Sequence, residues 1–291
     1  MLQQNIKTRD ISAIGLCIWL VMLGHILEHI ASPATNIMGW CVYSFHSALF
    51  VMCAGKTLRF SPWWSLGLYA LSLVTPTWWI GAPALYMLTI PLLQKVPHGK
   101  RWIVLVCSII AGLLSGFCPD PHGIAATLHL TRAVTFFPFF VIGVYQCTER
   151  PCKLRHVIQI LSAIALVVGG VIAAWRPLPF LMSMTYNASS TLNTFVWRVA
   201  AYCITGGMVY TIWSLLPNKR VKCLTRIGET ALPVYVLHNY VATIAVALSI
   251  ALGKLITVPV ATICITTITI SVLSIIAHEI WKVFAKRGVS K

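Results

Sequence analysis

Apolar stretches follow one another along almost the whole chain, and short polar links separate them. A helix needs about 20 mostly apolar residues to cross the hydrocarbon core of a membrane, and most of these stretches approach that length. The pattern therefore predicts an all-α, polytopic membrane helix bundle of about ten transmembrane helices, forming a single domain over residues 1–291. The predicted spans lie at about 11–30, 37–55, 61–75, 78–95, 102–118, 133–148, 154–175, 194–216, 230–252 and 256–281.

The charges are distributed unevenly between the links. The chain is 58% hydrophobic and 10% charged, with a net charge of +16, and a basic charge of that size would suggest nucleic acid in a soluble protein. With the N-terminus placed inside, 18 of the 22 Lys and Arg residues fall on the cytoplasmic side and four on the outer side. This asymmetry follows the positive-inside rule, so we expect both termini to be cytoplasmic and no nucleic-acid partner. The four outer residues are Arg132, Arg176, Arg198 and Lys254.

Three ionisable residues lie close together at the end of the first predicted span. His25, Glu28 and His29 occupy positions i, i+3 and i+4, which share one face of a helix. A histidine can deprotonate a hydroxyl near neutral pH or carry an acyl group itself. The alternative is an ordinary helix end, where polar residues meet headgroups and water. The three residues also match H-x-x-E-H, but no third ligand is evident nearby, so we expect no metal.

Further polar residues lie within the spans and in the links. His46 and His238 are intramembrane histidines, which usually face a cavity, although a ring satisfied by a helix carbonyl is the alternative. The most polar outer link, at 118–132, contains Asp120 and Arg132. The cytoplasmic basic residues set the topology, and some could also neutralise the phosphates of a donor such as coenzyme A.

Several function classes are disfavoured because their motifs are absent. The chain has no Walker-type loop, no G-x-G-x-x-G and no serine nucleophile elbow, which argues against ATP-driven transport and Rossmann redox chemistry. A transporter or flippase for a small polar solute or a lipid-linked sugar stays open, since broken helices and intramembrane histidines suit transport as well. Transporters often contain matched repeats, and none is evident here.

Four segments together resemble the integral-membrane acyltransferase family (acyltransferase 3), particularly its fucose 4-O-acetylase-like branch. The first is the apolar run ending in Gly-His, and the second resembles the family's Phe-His-Met-Pro-Leu-Phe segment. The third, around Phe-Phe-Pro-Phe-Phe, is the best match, and the fourth resembles a Leu-x-Ile-Tyr-Leu-Leu-His segment. They occur in the family's order, at residues 20–25, 45–59, 132–145 and 227–238.

The resemblance implies transfer of an acyl group, usually acetyl from cytoplasmic acetyl-CoA, to a carbohydrate hydroxyl at the outer face of a bacterial inner membrane. Partners would be acyl-CoA, a carbohydrate or glycolipid acceptor and membrane lipid. His25 and Arg132 are the catalytic candidates. The predicted substrate-binding residues are His46, His238, Glu28, His29, Asp120 and Tyr235, and the predicted donor-binding residues are Arg9 and Arg59.

One position departs from the family pattern. The family commonly has Arg or Lys eleven residues before the first-helix histidine, where this chain has Ile14. The nearest basic residue on that helix is Arg9, about 24 Å from His25 along the helix axis instead of about 16 Å. Either Arg9 serves a donor bound closer to the cytoplasm, or the chain is a catalytically silent member.

Overall fold

The computed structural model describes residues 8–30, 32–74, 78–117, 130–149, 153–175, 191–253 and 258–288. Within these ranges all regular secondary structure is helical, with short 3₁₀ helices between some of the α-helices. The helices are α1 Thr8–Leu27, α2 Pro33–Tyr43, α3 His46–Thr57, α4 Pro62–Val74, α5 Trp78–Lys95, α6 Arg101–Leu114, α7 Leu130–Val144, α8 Arg155–Trp175, α9 Thr191–Leu215, α10 Lys222–Glu229, α11 Ala231–Gly253 and α12 Val258–Gly288.

The chain is a membrane protein with several transmembrane helices. Six stretches of the described residues are long and apolar enough to cross a membrane: Thr8–Leu27, Pro33–Thr57, His98–Phe117, Arg155–Trp175, Leu192–Leu215 and Pro259–Glu279. Each of the ten predicted spans overlaps a helix, but ten crossings and cytoplasmic termini remain predictions.

Two local features differ from the predicted spans. The span predicted at 37–55 is divided, because α2 ends at Tyr43 and α3 begins at His46. The turn at Ser44 and Phe45 between them places Tyr43 and His46 on either side of a helix break. The second feature is α10, a short helix that the apolar pattern did not predict, since its sequence mixes basic and apolar residues.

The residues group into two compact units. Unit 1 comprises the described residues of Ser47–Ala163 and Pro179–Ser214, and unit 2 comprises those of Lys7–His46, Ile164–Leu178 and Leu215–Lys291. Unit 1 therefore holds α4 to α7 and most of α3 and α9, whereas unit 2 holds α1, α2 and α10 to α12. The single domain expected over residues 1–291 remains a prediction.

Within unit 2, α1 packs backbone to backbone against α10. A Cβ atom added at Gly15 would lie 1.9 Å from the Leu224 carbonyl oxygen, and one added at Gly228 would lie 2.0 Å from the Ile11 carbonyl oxygen. The two glycines thus permit an approach that any side chain would prevent. A buried hydrogen bond of 3.0 Å between the Ser12 and Thr225 hydroxyls links the same two helices.

The middle of α1 is also enclosed, which holds the helix in one orientation. Cys17, Met22 and Ile26 are fully buried. Trp19 Nε1 donates to Thr267 Oγ1 of α12 at 3.2 Å. Because α1 is held along its length, the direction in which its last turn projects is set by the packing of unit 2.

In unit 1, α7 is the central helix and is nearly all buried from Ala133 to Val144. Tyr86 of α5 donates its hydroxyl to the Ala133 carbonyl oxygen at 2.6 Å, within the first turns of α7. Arg198 of α9, 1% exposed, donates from one terminal nitrogen to Ser115 Oγ and Thr135 Oγ1, both at 2.7 Å. Arg198, Ser115 and Thr135 thus form a buried polar cluster in unit 1.

Candidate functional site

The polar group predicted at the end of α1 is present in unit 2. His25 Nδ1 lies 3.4 Å from Glu28 Oε2, longer than a typical N–H···O bond, and the His25 side chain is 33% exposed. A carboxylate can only accept, so this contact favours the neutral tautomer with its proton on Nδ1. Nε2 of His25 is then left with a free lone pair, which is the arrangement a general base requires.

Tyr43, the last residue of α2, contacts the same carboxylate. Its hydroxyl donates to Glu28 Oε1, so the two oxygens of Glu28 are shared between Tyr43 and His25. Gly24 permits this contact, because a Cβ atom at position 24 would lie 2.7 Å from the Tyr43 hydroxyl oxygen. The Gly24-His25 pair therefore has a structural reason. The absence of a side chain at Gly24 leaves room for Tyr43, which holds the carboxylate of Glu28 beside His25.

Glu28 is ionised at neutral pH. It lies just beyond the end of the membrane helix, which ends at Leu27. Burial raises the pKa of the Glu28 carboxyl, but hydrogen bonds with His25 and Tyr43 and the nearby histidine charges outweigh burial and hold it below its ordinary value. A carboxylate beside Nδ1 stabilises an imidazolium that forms on His25.

His29 and His46 are both held by backbone carbonyls. His29 Nδ1 donates to the His25 carbonyl oxygen at 2.7 Å, and the side chain is exposed. His46, the first residue of α3, is 1% exposed and donates from Nδ1 to the Val42 carbonyl oxygen at 2.8 Å. Its ring meets the Tyr43 ring edge to face, with centroids 5.1 Å apart. His46 thus lies next to the pair formed by Tyr43 and Glu28.

His238 of α11 also lies beside His25. Its Nδ1 donates to the Tyr235 carbonyl oxygen, and the two rings lie 4.4 Å apart between centroids. The His238 and His25 ring centroids are 5.2 Å apart, with the planes 31° from parallel. His238 is 1% exposed, so a buried imidazole lies next to the partly exposed ring of His25.

The structure thus brings together five of the predicted residues, His25, Glu28, His46, Tyr235 and His238, within one unit. His29 adjoins them through its hydrogen bond to the His25 carbonyl oxygen and its charge near Glu28. In the part of the chain that the structure describes, no group of three or more His, Cys, Asp or Glu side chains is arranged to hold a metal ion. The chemistry that this group supports is acid–base chemistry at His25.

The other predicted residues lie elsewhere. Arg9 lies in the first turn of α1, sixteen positions before His25, and is partly buried. Arg132, near the beginning of α7, and Arg59, just after α3, belong to unit 1 and are exposed. Asp120 lies outside the described residues. The roles of these four residues remain predictions.

Two residues with notable contacts were not predicted to have a role. In the sequence, nothing distinguishes Tyr43 from other aromatic residues of the apolar stretches except its position three residues before His46. The charge distribution places Arg198 among the four basic residues on the outer side and indicates no further role. An arginine within a long apolar stretch nevertheless indicates a buried polar cluster.

Comparison with protein families matches residues 143–288, half of the chain, to a family described as a protein of unknown function (DUF418). No curated protein and no solved structure matches the chain. The matched half contains Tyr235 and His238, whereas His25, Glu28, Tyr43 and His46 precede it. The resemblance to the acyltransferase 3 family remains a prediction. The chain belongs to the DUF418 family.

Proposed function

We propose that the protein is a membrane O-acyltransferase, which moves an acetyl group from cytoplasmic acetyl-CoA to a hydroxyl of a cell-envelope glycan or glycolipid outside the bacterial inner membrane. The observation that carries the proposal is the contact between His25 Nδ1 and Glu28 Oε2 at 3.4 Å. This contact leaves Nε2 of a partly exposed histidine as the base, at the end of a helix that crosses the membrane.

The reaction is a single displacement assisted by His25. The acceptor hydroxyl donates to His25 Nε2, which takes the proton as the hydroxyl oxygen attacks the thioester carbonyl carbon. The C–O bond forms, the C–S bond breaks, and the leaving coenzyme A sulfur receives the proton from His25. The products are an acetyl ester and free coenzyme A, and His25 is neutral again.

Glu28 and Tyr43 support this step without touching the substrate. The Glu28 carboxylate orients the His25 ring and stabilises the imidazolium, and the Tyr43 hydroxyl holds the other carboxylate oxygen. Both are therefore positioning residues. A base held by a carboxylate contributes about 10²–10⁴-fold to such a reaction.

The remaining predicted roles complete the proposal. The donor enters from the cytoplasmic side, where Arg9 of α1 neutralises its phosphates, and the acceptor approaches from outside, where Asp120 contributes to binding it. On α1, Arg9 and His25 are about 24 Å apart along the helix axis, so the thioester arm has to reach through the protein.

The test is transfer of radiolabelled acetyl from acetyl-CoA into envelope glycan by membranes that contain the protein. His25→Ala is compared with wild type at equal protein level, and His98→Ala is the matched control, because His98 is exposed in a helical turn before α6. We expect His25→Ala to lower transfer at least about a hundredfold and His98→Ala to leave it unchanged.

Each other result has a defined meaning. Transfer that survives His25→Ala would retain the acyltransferase and exclude His25 as its base. No transfer by the wild type, together with no thermal stabilisation by acetyl-CoA, would refute the proposed function and favour a transporter or a silent member of the fold.

A further inference from the structure

A buried hydrogen-bond acceptor lies beside the proposed base. Nε2 of His238 is buried and has no hydrogen-bond partner among the residues that the structure describes. Its Nδ1 donates to the Tyr235 carbonyl oxygen, so the ring carries its proton on Nδ1 and Nε2 has a free lone pair. Buried acceptors are nearly always satisfied, so one without a partner among the described residues is a position where a ligand donor can bind.

The position of this acceptor beside His25 limits the kind of ligand that can donate to it. The His238 and His25 rings are 5.2 Å apart between centroids and 31° from parallel. In His25, too, the Glu28 contact favours a proton on Nδ1. Two neighbouring rings therefore each offer a bare Nε2, and a ligand that satisfies both has two donors close together.

Neutral donors suit this position better than cations do. His238 is 1% exposed, and a cation placed against it would be desolvated. An O–H group costs much less to desolvate, and it recovers that cost when it donates to the nitrogen at about 2.8 Å. Hydroxyls on adjacent carbons of a sugar lie close together, and two such donors suit two neighbouring imidazole rings.

We propose that the acceptor binds through a vicinal diol. One hydroxyl donates to His25 Nε2 and is acetylated, and its neighbour donates to His238 Nε2 and positions the sugar. This inference rests on the proposed function and names its substrate class, a glycan residue with two free adjacent hydroxyls. His238 is a binding residue that takes no proton in the reaction.

The test uses the labelled-acetyl assay with isolated envelope glycan as the acceptor. One portion of the glycan is oxidised with periodate, which cleaves vicinal diols and spares isolated hydroxyls, and is then reduced with borohydride; the other portion is mock-treated. Enzyme variants are His238→Phe, which removes the acceptor nitrogen, His238→Gln, which restores an acceptor atom, and His278→Phe as a matched control on α12.

We expect periodate to abolish labelling of the glycan by the wild type. His238→Phe should raise the KM for mock-treated glycan about tenfold, with the KM for acetyl-CoA changed less than about twofold. His238→Gln should recover most of the loss, and His278→Phe should behave as wild type. A merely structural role of His238 would change the KM for both substrates and would not be rescued by Gln.

The failures are distinguishable. Equal labelling of oxidised and mock-treated glycan, or an unchanged glycan KM in His238→Phe, would overturn the diol inference and leave the acyltransferase standing. No labelling of either glycan by the wild type would overturn the proposed function and, with it, this inference.

Discussion

Gly24→Ala should disturb the contact between Tyr43 and Glu28 while leaving the rest of α1 in place. An added Cβ atom would lie 2.7 Å from the Tyr43 hydroxyl oxygen and 2.8 Å from the Cζ atom of its ring, both well inside van der Waals contact. Both atoms are at the far end of a side chain, so the tyrosine can move aside. In moving, it loses its hydrogen bond to Glu28 Oε1.

The expected change in stability combines three contributions. Replacing a helical glycine by alanine gains about 1 kcal/mol of helix propensity. Overpacking a buried position costs about 1–3 kcal/mol, and the lost hydrogen bond to a charged group costs about 1 kcal/mol at a site that is half exposed. We therefore expect Gly24→Ala to lower the free energy of unfolding by about 1–3 kcal/mol. Gly39→Ala is the matched control, because a Cβ atom there meets nothing within 4 Å.

Thermal unfolding in detergent, followed by circular dichroism, measures the difference. Tyr43→Phe should destabilise the wild type by about 1 kcal/mol but should cost little in the Gly24→Ala background, since the hydroxyl is already displaced there. In the Gly39→Ala background, Tyr43→Phe should cost as much as in the wild type. Equal stability of the two alanine variants, or equal effects of Tyr43→Phe in both, would refute the close approach of Gly24 and Tyr43.

Other contacts give three further predictions. Gly228→Ala should destabilise the protein by at least about 1–3 kcal/mol in the same melting assay, because its Cβ atom would lie 2.0 Å from the Ile11 carbonyl oxygen; a melting temperature like that of Gly39→Ala would contradict this. Glu28→Gln should be less stable than the wild type by about 1 kcal/mol at neutral pH. Because the folded-state pKa of Glu28 lies below its ordinary value of 4.5, the extra stability of the wild type is present above pH 4.5 and is lost as the pH falls through the lowered pKa. A stability difference between the wild type and Glu28→Gln that stays constant in melts from pH 7 to pH 3 would contradict this. Arg198→Ala should cost about 3–5 kcal/mol, because it removes two buried hydrogen bonds of 2.7 Å and leaves a cavity; a variant that melts like the wild type would exclude that buried role.

The polar residues of the site could be predicted from the sequence only where they interrupt or end an apolar stretch. His25, His46 and His238 were identifiable because an ionisable group within an apolar stretch is costly and therefore informative. Tyr43 gave no comparable signal, since tyrosine is common in membrane helices. Its role depends on its distance from Gly24 and Glu28, which a linear pattern does not contain.

The sequence by itself determined that the protein is helical and lies in a membrane, because the length and hydropathy of a stretch are local properties of the chain. It also placed the three histidines at or within apolar helices. Only the tertiary structure decided that α2 and α3 separate between Tyr43 and His46, that α10 packs on α1 at Gly15 and Gly228, and that His238 lies beside His25. These features depend on contacts between residues far apart in the chain, and such contacts are decided by packing and not by local pattern.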